Sequence, residues 1–183
     1  MGVYVALLRG VNVGGNAKVP MAGLKVCFED LGFTGVKTFI NSGNVIFKAD
    51  KTSENTLLEQ IEACLEKKFG WKIDVVVYGH DRYAKIVKSA PKDWGKDQTW
   101  KHNALFMLPP YDIKKVLADI GELKPDIELL AAGDGAVFQS VSWADFGKSR
   151  SGKLAGMPIY KRMTVRNYNT TTKLLDLMEQ AGE

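Results

Sequence analysis

Residues 35–49 read GVKTFI-NSG-NVIFKA, two runs rich in β-branched and aromatic residues joined by Asn41-Ser42-Gly43, a composition suited to a tight chain reversal. The stretch reads as a β-hairpin, and its flanks decide what the hairpin belongs to. Upstream, Met21, Leu24, Cys27, Phe28 and Leu31 recur at helical spacing behind Pro20, a residue tolerated at a helix start because the missing N–H has no intrahelical partner there. Gly32 ends that helix. Before it come an apolar strand over 3–9, VYVALLR, and the loop GVNVGGNAK over 10–18. Downstream, Ser53 is placed to cap a helix lined by Leu57, Leu58, Ile61, Cys64, Leu65 and Phe69 and ended near Gly70. KIDVVVY, over 72–78, is a fourth strand. The order is β-α-β-β-α-β, the ferredoxin-like plan.

A helix from Asp81 to Ser89 follows, then a segment rich in Pro, Gly, Lys and Trp over 90–101 that reads as a link. The same order then recurs. HNALFML is a strand; Ile113, Val116, Leu117 and Ile120 line a helix; IELLAA and AVFQSV flank the turn Gly133-Asp134-Gly135. Pro158 either starts a helix or kinks one between Ser149 and Arg162. A short strand over 163–166 completes the unit, and Thr171, Leu174, Leu175 and Met178 line a terminal helix. The expected architecture is α+β, two tandem ferredoxin-like (β-α-β-β-α-β) units with antiparallel sheets. The first covers 1–78, a helix and linker cover 79–101, and the second covers 102–183 with the C-terminal helix.

Composition narrows the setting. Of 183 residues, 45% are hydrophobic and 25% charged, ordinary for a globular chain. The first strand has no basic residues ahead of it and no small-residue cleavage site behind it, so it does not read as a signal peptide. No apolar stretch approaches the roughly 20 residues that cross a bilayer, so no membrane partner is expected. Cys27 and Cys64, each on the apolar side of a helix, read as core thiols in a reduced compartment, and the expected localisation is cytoplasmic. With no CxxC pair and only His80 and His102, neither metal nor cofactor is expected. The net charge of +4 is unevenly spread: between 140 and 173 lie seven basic residues against the single acid Asp145. Such asymmetry hints at an acidic partner.

Three motifs carry chemistry. The loop GVNVGGNAK lies between a strand and a helix start, where backbone N–H groups and the helix dipole hold anions. Arg9, Asn12, Gly14, Gly15 and Lys18 are its candidate ligand-binding residues, although the spacing is not that of a dinucleotide fingerprint. GKSRSGK, over 147–153, fits the first seven positions of a phosphate loop, but Leu154 stands where Ser or Thr would hold magnesium. Lys148, Arg150 and Lys153 there form a basic loop suited to an anion. In RNYNTTTKL, Asn169 and Thr170 are placed to cap the last helix, while Arg166, Asn167, Tyr168 and Lys173 combine donors with an aromatic face, the kit used against phosphates and bases. Trp71, Trp94, Trp100 and Trp143 offer an aromatic surface, with Trp94 and Trp100 the exposed pair to inspect. Neither histidine has a Ser or Cys nucleophile near it in sequence, and no catalytic residue is assigned.

The blocks ALLRGVNVGGNAKVPMAGLK, TFINSGNVIF and TVRNYNTTTKLLDLM together resemble the bacterial family named domain of unknown function 1697. The resemblance covers essentially the whole chain, with Tyr168 where the family usually has Trp. It implies a structural class and no activity. The expected function is therefore that of a binding protein for an anionic ligand, a phosphate-bearing small molecule or nucleic acid. The alternatives are an enzyme acting on a phosphorylated or carboxylated small molecule, and a protein-interaction module that uses sheet edges. The oligomeric state is not legible.

Overall fold

The computed structural model describes residues 1–15, 17–110 and 112–183. They divide into two compact units, one made of Met1–Ala84 with Lys173–Glu183 and the other of Lys85–Thr172. The division falls inside a helix and returns the last eleven residues to the first unit, whereas the expected division gave the whole C-terminal helix to the second.

In the first unit, β1 (Gly2–Leu8), α1 (Met21–Asp30), β2 (Thr34–Phe39), β3 (Asn44–Ala49), α2 (Glu54–Phe69) and β4 (Val75–Gly79) follow the expected order. The sheet runs β2-β3-β1-β4 and is antiparallel throughout. Alternation places Tyr4, Ala6, Leu8, Phe47, Val75 and Val77 on the face that packs with Leu24, Phe28, Leu57, Ile61 and Leu65 of the helices. Phe47 is central, with ring centroids of Phe28 at 5.2 Å and Phe33 at 4.7 Å. Each such side chain, fully buried, contributes about 1.5–3 kcal/mol. Ser53 caps α2 by accepting from Thr56 N–H at 3.0 Å, and Gly70 ends it at φ 83°. Cys27 of α1 and Cys64 of α2 are joined as a disulfide, Cα to Cα 6.3 Å. This corrects the reading of two separate core thiols: the helices bring together residues 37 apart in sequence.

Helix α3 (His80–Lys88) spans the division, and β5 (Trp100–Met107), α4 (Ile113–Ile120), β6 (Glu128–Ala132), β7 (Ala136–Ser142) and β8 (Met163–Asn167) build the second unit. Its antiparallel sheet runs β6-β7-β5-β8, the same plan. Leu105, Met107, Val116, Ile120, Val137, Leu154, Ile159 and Met163 form its core. The fifth element is not an α-helix but three 3-10 segments, Phe146–Lys148, Ser151–Gly156 and Pro158–Arg162. Pro158 starts the third, and Met157 before it is extended at φ −92°, ψ 144°, as a residue preceding proline prefers. Helix α5 (Tyr168–Gly182) closes the chain. Its cap is Asn167, whose Oδ1 accepts from Thr170 N–H at 2.8 Å, so the expected capping by Asn169 and Thr170 is corrected by two positions. Among the described residues no helix is long and apolar enough to cross a membrane.

Candidate functional site

The glycine-rich loop leaves β1 with Leu8 N–H bonded to Gly43 O and Arg9 N–H to Asp74 O, at 2.8 and 2.9 Å. Asn12, at φ 56°, then closes the loop. Its Nδ2 donates to Val19 O and Asn41 O, at 2.9 and 2.8 Å, and its Oδ1 accepts from Val19 N–H at 2.8 Å. Asn12 thus spends its amide on the chain itself rather than on a ligand. Gly14 and Gly15 sit at φ +65° and +78°, and nothing stands within 4 Å of where a side chain would begin. That side of the loop is open. Arg9 directs its guanidinium to Asp74 at 3.9 Å, with its Nε buried and unpartnered. Lys18 is exposed. Gly15, Lys18, Val19, Pro20 and Asn41, with Asn12, border a hollow of about 440 Å³ at the start of α1. Pro20 occupies the N-cap position, so no side chain caps α1 and no acid stands in its first turn. The first-turn amides and the positive end of the helix therefore remain for an external acceptor. Asn16, part of the expected loop, lies outside the described residues.

The phosphate-loop-like stretch is arranged otherwise. Glu128, the first residue of β6, is fully buried. Its carboxylate accepts Ser151 N–H at 2.7 Å and both Arg150 N–H and Lys124 N–H at 3.1 Å. Burial pushes its pKa up, but the backbone donors, Ser151 and Arg150 foremost, hold it below the ordinary carboxylate range. The amides that a phosphate would use are already bonded to a carboxylate of the same chain. Lys148 pairs with Asp145 at 2.8 Å, an ion pair that raises the lysine pKa and lowers that of the acid. The Arg150 guanidinium lies against Gly121. Gly152 is packed so close to Ser149 Oγ and Phe146 O that no larger residue fits. Lys153 is exposed on the second 3-10 segment.

Arg166, on β8, is buried and donates from Nη1 to Thr164 Oγ1 at 2.9 Å and Val165 O at 2.8 Å. Asn167 and Tyr168 line a second hollow, of about 210 Å³, with Trp100, Lys101, His102 and Trp143. Lys148, Arg150 and Lys153 do not border it. Of the tryptophans named from sequence, Trp94 is buried, its Nε1 donating to Gln139 O and its ring 5.1 Å from that of Tyr168, while Trp143 is exposed. Glu128, Lys101 and His102 were not singled out as site residues from sequence. An alternation count along 100–107 separates the two faces of β5, but nothing local marks Glu128 as a buried acceptor for amides more than twenty residues away. Among the described residues no cluster of three or more metal-ligating side chains occurs.

Comparison with known proteins adds identity without activity. The family model described as protein of unknown function (DUF1697) matches residues 1–138. A solved structure of a conserved bacterial protein from Streptococcus pneumoniae superposes with a TM-score of 0.86 at 28% identity, covering 97% of this chain and 98% of that one. No curated protein matches the chain.

Proposed function

The chain belongs to the DUF1697 family of unknown function, and from the geometry of its first unit we propose that it binds a phosphate-bearing small molecule at the glycine-rich loop. The observation that carries this reading is the hollow at the start of α1, where an uncapped helix N-terminus, the open Gly15 and the exposed Lys18 meet. Uncapped amides and a helix dipole favour an anion, and a lysine at the rim adds a charge. The small-molecule form is favoured over nucleic acid because sheets that bind unstacked bases do so on an open aromatic face. Here the second face of each sheet is apolar and buried: Val5, Leu7, Ile46 and Val76 in one, Ala104, Phe106 and Phe138 in the other. The setting proposed with this reading is a bacterial cytoplasm, although the Cys27–Cys64 disulfide removes the reduced-thiol argument for it.

Calorimetric titration with pyrophosphate tests it. Saturable binding, weakened about tenfold by Lys18→Gln and reduced by added salt, is the expected result. Absence of binding to pyrophosphate, or binding indifferent to Lys18→Gln, rejects the site. A short oligonucleotide that binds where pyrophosphate does not would move the assignment to nucleic acid.

A further inference from the structure

The hollow of about 210 Å³ in the second unit combines two tryptophans, a tyrosine, a lysine and side-chain amides. Trp143 stands at its edge, 57% exposed, with its backbone N–H fixed on Thr99 O at 3.0 Å. A ring exposed at the edge of a hollow offers a flat apolar face on which a planar ligand can stack. Lys101 is held with its Nζ 5.4 Å from the Trp143 ring centroid and 4.8 Å from that of Phe146. No ion pair among the described residues engages this lysine, and no acid lines the hollow. Asp97 is occupied, accepting Thr99 N–H at 2.9 Å and its hydroxyl at 2.6 Å.

The remaining walls are packed and hydrogen-bonded to the chain itself. The Tyr168 ring lies flat against Gly95 and edge-on to Trp94. His102 is engaged at both nitrogens: Nε2 lies 2.9 Å from Asp97 O, which can only accept, and Nδ1 lies 2.8 Å from Ser140 Oγ. It forms one wall of the hollow. Asn167 spends its Oδ1 on capping α5, so the end of its amide left for a ligand is the N–H donor.

A cation, amide donors and aromatic walls with no carboxylate define a ligand by complement. We infer that this hollow is a second binding site, for a single planar ring bearing an anionic group, stacked on Trp143 with its charge on Lys101. The volume is below the roughly 300–1,000 Å³ of sites for drug-sized ligands, which limits the occupant to about one ring system. The inference stands on residues separate from the glycine-rich loop and holds or falls independently of it.

Titration of the intact protein with three probes separates the contributions: nicotinate has ring and charge, nicotinamide the ring alone, acetate the charge alone. Nicotinate is expected to bind saturably and to alter tryptophan fluorescence, with the other two weaker by about tenfold or more. Trp143→Ala and Lys101→Met should each weaken nicotinate by about tenfold, while Trp143→Phe retains most of the affinity. Trp143 is exposed and Lys101 half-buried, and unchanged circular dichroism confirms the fold of each variant. Equal binding of nicotinate and acetate, nicotinate binding unaltered by Trp143→Ala, or no saturable response to nicotinate in the millimolar range overturns the site.

Discussion

The glycine-rich run at 10–18 and the glycine-and-lysine run at 147–153 differ in what their backbone amides face. In the first unit the loop leads to a helix whose first amides have no side-chain cap, beside an open hollow and Lys18. In the second, the stretch nearer in spacing to a phosphate loop turns its amides onto Glu128. A motif counts residues, whereas an anion site needs amides that still lack an acceptor. The carboxylate of Glu128 fills the role that a phosphate would have, so the better pattern match is the poorer site.

Removing that carboxylate has the largest expected effect. Glu128→Ala leaves the amides of Lys124, Arg150 and Ser151 without acceptors in a closed region, and at about 1–3 kcal/mol for each unsatisfied group the loss should approach about 4 kcal/mol. Urea denaturation measures it. Added phosphate should then restore part of the stability of Glu128→Ala through the vacated amides. A loss below about 1 kcal/mol would show that the amides are satisfied by water, and the contrast between the loops would fail.

Two glycines sharpen the same contrast. Gly95, at φ +87°, faces the Tyr168 ring so closely that a methyl group collides with it, whereas Gly14, at φ +65°, has open space. Gly95→Ala combines a left-handed backbone penalty of about 1–2 kcal/mol with overpacking of about 1–3 kcal/mol, near 3 kcal/mol together. Gly14→Ala carries the backbone penalty alone, about 1 kcal/mol. Thermal denaturation of the pair checks the difference, and equal losses would mean that Tyr168 moves aside freely.

Legibility followed the range of the interactions. The period of the apolar residues and the signals Pro20, Ser53 and Gly70 are local, and both sheets and the expected order of elements were readable from them. The fifth element of the second unit was not, because the glycines at 147, 152 and 156 and Pro158 weaken helix formation without naming the alternative. The site depended on long-range partners. Asn12 looked like a ligand because its bonds to Val19 and Asn41 belong to the folded loop; Arg166 looked free because its burial depends on the strands around β8. Cys27 and Cys64 were placed correctly on their helix faces, but their pairing required knowing that α1 and α2 lie side by side.

Asn12 also separates conformation from bonding. Asn12→Ala loses three hydrogen bonds and forces alanine to φ 56°, for about 2 kcal/mol, whereas Asn12→Gly loses the bonds but suits the backbone, for about 1 kcal/mol. If both variants keep wild-type affinity for pyrophosphate, Asn12 builds the loop without touching the ligand. An affinity loss without a stability loss would return it to the ligand-binding set.

The smallest effect concerns two glutamates that accept backbone N–H groups, one in each unit. Glu62 on α2 accepts Val75 N–H at 3.1 Å, yet burial is its largest influence and raises its pKa above the ordinary 4.5. Glu128 is also pushed up by burial, but its several donors outweigh this and its pKa is lowered. The signs of linkage are therefore opposite. The contribution of Glu128 is present above pH 4.5 and is lost as pH falls through its lower folded value. That of Glu62 is present below pH 4.5 and is lost as pH rises through its higher folded value, because the buried ionised form is the disfavoured one. Each change should stay near or below about 1.4 kcal/mol, the equivalent of one pKa unit. Comparing Glu62→Gln and Glu128→Gln with wild type across the acid range reads both. On acidification the deficit of Glu128→Gln should shrink, while wild type should gain relative to Glu62→Gln. If the two differences instead move in the same direction, donor count does not decide the sign, and the first unit holds its carboxylate as the second does.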